Sequence, residues 1–271
     1  MASASMLASA ARRLEGKVAL ITGGASGIGK ATAKLFAQQG GRLVIADIQD
    51  KAGSAVCEEL NTQTKATYVH CDVTNESDVE KAVDAAIDRY GKLDIMFNNA
   101  GVIGSPVNPI LQSDKSNFHK VMSVNVTGCY LGTKHAARVM IPARRGSIIS
   151  TASVASVEPG ITPVAYTCSK HAVLGIMRSA AAELGPYSIR VNCVSPNVLP
   201  TPLAAEALQM EETELQQAME DKAVLKGVGL NKDDVAYAAL YLGSDESKYV
   251  SGLNLLIDGA FSVTNPSFGV F

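Results

Sequence analysis

Tyr166 and Lys170 stand four residues apart in Tyr166-Thr167-Cys168-Ser169-Lys170, with Ser153 thirteen residues upstream. On a helix, positions i and i+4 share a face, and an ammonium there favours phenolate over phenol. A tyrosine that moves protons near neutrality needs such help, because phenols otherwise ionise near pH ~10. The same four-residue spacing arises by chance in amphipathic helices, so its meaning depends on what accompanies it.

Near the N-terminus the apolar run Lys17-Val18-Ala19-Leu20-Ile21-Thr22 suits a buried parallel strand. It leads into Gly23-Gly24-Ala25-Ser26-Gly27-Ile28-Gly29 and then an Ala-rich helical pattern. Strand, glycine turn and helix in that order make a dinucleotide site. Gly23 and Gly27 permit a tight turn and a close approach to pyrophosphate. Gly29 permits close packing of helix and sheet, and the helix N-terminus points its positive end at the phosphates. The spacing is G-x-x-x-G-x-G rather than the commoner G-x-G-x-x-G.

A second strand, Arg42-Leu43-Val44-Ile45-Ala46, ends at Asp47, eighteen residues after Gly29. A carboxylate there accepts hydrogen bonds from adenosine ribose hydroxyls and repels a 2′-phosphate, which favours NAD over NADP. Lys30 and Arg42 are the nearby cations that argue for NADP, and neither follows Asp47 where a phosphate clamp is expected.

These groups need a scaffold, and the composition bounds it. The chain has 271 residues, 47% of them hydrophobic, enough for one large α/β domain with a substantial core. Net charge is −2, and no basic run exceeds the pairs Arg12-Arg13 and Arg144-Arg145, so neither a nucleic-acid nor an anionic-membrane surface is indicated. Five cysteines without C-x-x-C spacing point to a reducing compartment. The four histidines, His70, His119, His135 and His171, lack metal-ligand spacing, so no metal is expected. No apolar run approaches the ~20 residues of a membrane span. Residues 1–14 read as a flexible arm and the location as cytoplasmic, with plastid targeting the alternative for their Ala- and Ser-rich composition.

Downstream, strand-like runs alternate with helical patterns, the sign of a doubly wound parallel sheet of about seven strands in a single Rossmann-like domain over 15–271. Strands are expected at Ala66 to His70, Leu93 to Phe97, Gly146 to Ser150, Ile189 to Val194 and Leu253 to Ile257. Helices are expected at Lys51 to Leu60, Glu76 to Tyr90, Asp114 to Met140, Val164 to Leu184 and Lys232 to Leu242. The irregular region at about 196–229 reads as a substrate loop or, equally, a surface helix pair.

Together these motifs resemble the short-chain dehydrogenase/reductase family from Leu14 onward. They run in order through Thr22-Gly23 to Gly29, Cys71-Asp72-Val73, Asn98-Asn99-Ala100-Gly101, Asn125, Ser153, Tyr166 with Lys170, and Pro196-Asn197 leading to Thr201. Further stretches, such as Lys92-Leu93-Asp94-Ile95-Met96-Phe97 and Asp245-Glu246-Ser247-Lys248-Tyr249-Val250-Ser251-Gly252, are similar to a plant branch. That branch includes secoisolariciresinol, xanthoxin, borneol and isopiperitenol dehydrogenases and nepetalactol-related enzymes. Asn197 departs from the family, which usually has Gly there.

The resemblance implies roles for particular residues. Tyr166 is expected as general base or acid, Lys170 as its electrostatic partner and a ligand of the nicotinamide ribose, and Ser153 as hydrogen-bond donor to the substrate oxygen. Asn125 is expected to hold a relay water beside Lys170. Ser26, Ile28, Ala100, Gly101, Pro196 and Val198 join the glycines and Asp47 in lining the cofactor. Asp72 and Val73 are expected at the adenine, Asn98 beside the glycine loop and Thr201 at the carboxamide; for Asp72, Asn98 and Asn125 a structural hydrogen-bonding role is the alternative.

The segments expected to line the substrate pocket, Val154 to Val164 and Val198 to Leu225, are mostly apolar, with Glu158 an exception, and Lys170 is the one cation nearby. A small apolar secondary alcohol or lactol of terpenoid or iridoid type fits, oxidised to carbonyl or lactone with NAD. The alternatives are a redox-neutral cyclase or isomerase that keeps NAD as scaffold, and a non-catalytic NAD-sensing protein. The family often assembles through the two long helices, so a homotetramer is expected. The tail Thr264 to Phe271 either packs across a subunit interface or stays loose.

Overall fold

The computed structural model describes residues 12–105 and 110–264. Seven parallel strands form one sheet: β1 (Val18–Thr22), β2 (Arg42–Asp47), β3 (Ala66–His70), β4 (Ile95–Asn98), β5 (Gly146–Thr151), β6 (Ile189–Pro196) and β7 (Asn254–Ile257). Their spatial order is β3-β2-β1-β4-β5-β6-β7. The chain therefore reverses direction between β1 and β4, and the crevice at the C-terminal strand ends there is where such sheets take ligands. All five residues of β1 are buried, as a strand covered by helices on both faces requires.

One face is covered by α1 (Gly27–Gln38), α2 (Asp50–Leu60) and α9 (Lys232–Gly243). Its core holds Phe36, Ile21, Phe97 and Leu240. The other face carries α3 (Glu76–Tyr90), α4 (Lys115–Met122), α5 (Gly128–Ala143) and α6 (Val164–Leu184) over Val83, Met96, Met140 and Val173. Local chemistry sets the helix ends. Asn75 accepts the Ser77 N–H at the start of α3, and Gly91 closes it in the left-handed conformation at φ 76°.

Two expectations change. The helix expected from Asp114 to Met140 is interrupted by a π-helical turn, Ser123–Thr127, between α4 and α5. Apolar periodicity passes over one wide turn, which only rotates the stripe by a single residue. The expected N-terminal arm is shorter than residues 1–14. Leu14 is fully buried and donates its N–H to the Gln39 carbonyl at 2.9 Å, while Arg13 pairs with Glu246. The rest of the arm, like the tail beyond Thr264, lies outside the described residues.

The 196–229 region contains α7 (Pro202–Leu208) and α8 (Glu212–Lys222), a pair of short helices with Leu215 buried beneath them. Among the described residues, no helix is long and apolar enough to cross a membrane.

Candidate active site

The glycine turn is built for close approaches. Gly23 and Gly27 have φ +64° and +51°, where a side chain is strained. A Cβ on Gly23 would lie 2.8 Å from the Ala100 Cα, so this glycine serves the packing of the 99–101 loop over the turn. Gly24, rather than Gly29, meets the sheet, since its Cβ would be 2.8 Å from Ile45 Cγ2. Gly29 packs on the turn itself, where a Cβ would fall 2.1 Å from the Gly23 carbonyl oxygen. Gly27 lies beside Thr201, whose Cβ and Cγ2 would be 3.8 Å from a Cβ placed there, an ordinary van der Waals contact. Ser26 leaves its side chain out of the α1 cap, so the helix start keeps donors for an anion.

Asp47 ends β2 and is buried. Its Oδ2 accepts the Ala25 N–H at 3.0 Å and its Oδ1 the Gln49 N–H at 3.0 Å. Gln49 Nε2 also donates to Oδ1, at 3.4 Å, so of the roughly four acceptor positions of a carboxylate about one remains for a ribose hydroxyl. The cations that argue for NADP point elsewhere: Lys30 pairs with Glu59 at 3.6 Å, and Arg42 opens β2 at the end opposite Asp47. Asp72 is exposed and its carboxylate closes a turn by accepting the Thr74 N–H at 2.9 Å. Val73 is buried against Gly128.

The sequence reading places Asn98 beside the glycine loop, and the structure corrects it to Asn99. Asn98 turns inward, donating to Thr133 Oγ1 at 3.3 Å, and its Oδ1 is buried without a partner. Asn99 Nδ2 donates to the Thr22 and Gly23 carbonyls at 3.1 and 3.2 Å. Thr22 Oγ1 in turn accepts the Asn99 and Ala100 N–H groups. Consecutive residues at a strand end face opposite sides, so only one of two adjacent asparagines can reach the loop.

Asn99 also connects the cofactor side to the chemistry. Its Oδ1 accepts from Thr151 Oγ1 at 3.2 Å, and the Thr151 carbonyl accepts from Lys170 Nζ at 2.7 Å. Lys170 is buried, with its Nζ 5.3 Å from the centroid of the Tyr166 ring. Tyr166 lies half-buried in the first turn of α6. A Cβ on Gly101 would lie 3.8 Å from Lys170 Nζ, which places that loop against the ammonium.

Asn125 sits inside the π turn and is buried. Its Nδ2 donates to Ser169 Oγ at 3.0 Å, and Ser169 Oγ donates to the Tyr166 carbonyl at 2.7 Å. Ser153 is buried and caps the 3-10 turn Val154–Ser156, its Oγ accepting the Ala155 N–H at 3.2 Å. As the acceptor there, it keeps its own proton for another oxygen. Thr201 Oγ1 likewise accepts from the Ala204 N–H at 3.2 Å. Pro196 ends β6 buried, and Asn197 Oδ1 accepts the Val198 N–H at 2.8 Å, so the residue at the family's glycine position braces its own loop.

Asn99, Thr22, Thr151 and Ser169 are the polar residues that sequence reasoning passed over. Asn99, Thr22 and Ser169 lay inside motifs already quoted, whereas Thr151 gave no local signal. On the two segments expected to line the substrate pocket, Val157, Ile161, Val164, Leu203, Leu208 and Leu225 are exposed. Among the described residues, no three His, Cys, Asp or Glu side chains are grouped to hold a metal ion.

The chain is similar to known proteins. A family model described as "Enoyl-(Acyl carrier protein) reductase" matches residues 23–262. Secoisolariciresinol dehydrogenase of Forsythia intermedia is 56% identical over 272 residues, covering 100% of this chain and 98% of that protein. Borneol dehydrogenase, mitochondrial, of Lavandula x intermedia is 53% identical, covering 98% of each. The crystal structure of levodione reductase superposes with a TM-score of 0.87 at 31% identity, covering 93% of this chain and all of that one.

Proposed function

The chain belongs to the short-chain dehydrogenase/reductase family and is an oxidoreductase; from that premise we propose that it oxidises a small apolar secondary alcohol or lactol of terpenoid or iridoid type, with NAD as cofactor. The observation that carries the reading is the buried Lys170 ammonium, fixed on the Thr151 carbonyl and 5.3 Å from the Tyr166 ring. A cation fixed there can offset the negative charge that develops on the phenol oxygen as a proton is transferred.

Ser153 keeps a proton to donate to the substrate oxygen as negative charge develops there. Tyr166 takes the hydroxyl proton, with the Lys170 side chain beside it. The free donors at the start of α1 and the remaining acceptor position of Asp47 suit a pyrophosphate and an unphosphorylated ribose. NAD, when bound, supplies the hydride acceptor. Exposed apolar side chains on the segments expected to line the pocket, Val157, Ile161 and Leu203 among them, suit a hydrocarbon-rich substrate. The name borneol dehydrogenase, carried by one relative, agrees with a compact terpenoid alcohol. We further propose that the long helices α5 and α6 assemble the chain as a homotetramer in the cytoplasm.

A panel of terpenoid alcohols, lactols and iridoid dialdehydes, incubated with and without NAD, tests this reading. NADH appearance coupled to a product lighter by two hydrogens is expected. An isomeric product without NADH would instead establish a redox-neutral cyclase. Tyr166→Phe is expected to lower turnover by about 10²–10⁴-fold, the usual contribution of a general acid–base group.

A further inference from the structure

We propose that Tyr68 is a positioning residue for the cofactor's adenosine ribose, acting through Asp47. The inference rests on the NAD reading above and extends it to a residue bonded to the backbone of Asp47.

Tyr68 lies on β3, next to β2, in the register that pairs Ile45 with Tyr68 and Asp47 with His70. Its hydroxyl oxygen is 2.7 Å from the Asp47 carbonyl oxygen and 2.7 Å from Asp50 Oδ1. Asp50 is the first residue of α2, so one phenol joins the end of β2 to the start of the helix that follows it. His70 Nδ1 holds the same Asp50 oxygen at 2.7 Å.

The ring itself is clamped. A Cβ on Gly53 would fall 2.1 Å from Tyr68 Cε2 and 2.4 Å from Cδ2. A glycine inside a helix costs about 1 kcal/mol against alanine, yet here it is what lets α2 rest on the ring.

Asp47 is therefore fixed from three directions. Ala25 and Gln49 donate N–H groups to its carboxylate, and its carbonyl accepts the Cys71 N–H at 3.0 Å and also meets the Tyr68 hydroxyl. A carboxylate selects ribose hydroxyls only while its oxygens are held in place, because hydrogen bonds weaken steeply as their geometry degrades. Removing the phenol leaves the carboxylate unchanged chemically and loosens the backbone that carries it.

The phenol has one proton and two acceptors, which gives the proposal a second handle. Without the Asp50 carboxylate, that proton belongs to the Asp47 carbonyl alone.

The test is calorimetric titration of the full chain with ADP-ribose and with its 2′-deoxyadenosine counterpart. The wild type is expected to prefer the ribose form by at least about tenfold, the worth of a hydrogen bond to a charged acceptor. Tyr68→Phe is expected to shrink that preference by about threefold to tenfold while binding the deoxy form as the wild type does. Asp50→Asn, a change on the surface, is expected to retain the full preference. A wild type without the preference would overturn the role of Asp47 itself. A preference unchanged in Tyr68→Phe, an equal loss for both ligands, or a loss in Asp50→Asn matching that of Tyr68→Phe would overturn the positioning role alone.

Discussion

Asn125 and Val102 are joined by two reciprocal hydrogen bonds: the Val102 N–H donates to Asn125 Oδ1 at 2.8 Å, and Asn125 Nδ2 donates to the Val102 carbonyl at 2.9 Å. The pair fastens the π turn to the loop that carries Gly101, against which Lys170 lies. Asn125→Ala leaves both backbone groups without that partner and also strips Ser169 of a donor. Unpaired buried polar groups cost about 1–3 kcal/mol each, so a loss of about 2–4 kcal/mol is expected in urea denaturation. An unchanged midpoint would contradict the structural half of this role.

Asn98 and Asn99 should separate cleanly in kinetics. Asn99→Ala frees the Thr22 and Gly23 carbonyls and is expected to raise KM for the dinucleotide several-fold. Asn98→Ala touches only the buried network with Thr133 and is expected to lower the thermal midpoint while KM stays within about twofold. The opposite pattern would return the loop-holding role to Asn98.

Gly132 marks the tightest helix–strand contact. A Cβ there would fall 1.9 Å from Asn98 Oδ1 and 2.8 Å from Met96 Cε, inside a buried layer. Overpacking of this kind costs about 1–3 kcal/mol or more. Gly132→Ala is therefore expected to destabilise, although alanine is the better helix former. A more stable variant in the same denaturation experiment would show that the layer relaxes freely.

The His70–Asp50 pair predicts a pH window. The Asp50 carboxylate raises the pKa of His70 above its ordinary 6.5. Hydrogen bonds from Tyr68 first, then His70, hold Asp50 below 3.8. The histidine contribution is complete below 6.5 and fades as pH rises through its raised folded value. The aspartate contribution is present above 3.8 and fades as pH falls through its lowered folded value. Both groups are solvent-exposed, so the sign is better read from titration than from stability. Following the His70 ring protons by NMR, Asp50→Asn should move the midpoint down toward 6.5. A midpoint that stays in place would remove Asp50 as the cause.

The order of elements, the glycine turn, Asp47 and the Ser153, Tyr166 and Lys170 set were legible in the sequence. Each is written in neighbouring residues: apolar periodicity, glycine spacing, and two side chains one helical turn apart. The helix Val164–Leu184 and the strand Ala66–His70 match their sequence bounds because their signals are local. What the tertiary structure decided involves partners far apart in the chain. Thr151 meets Asn99 across 52 positions, and Asn125 meets Ser169 across 44. Strand register chose Asn99 over Asn98, and one π turn aimed Asn125. No short window contains both partners of such a bond, and a one-residue change of register reverses which side chain faces the site. The sequence by itself named the groups able to move a proton, and only packing fixed which backbone holds each one and which neighbours keep it there.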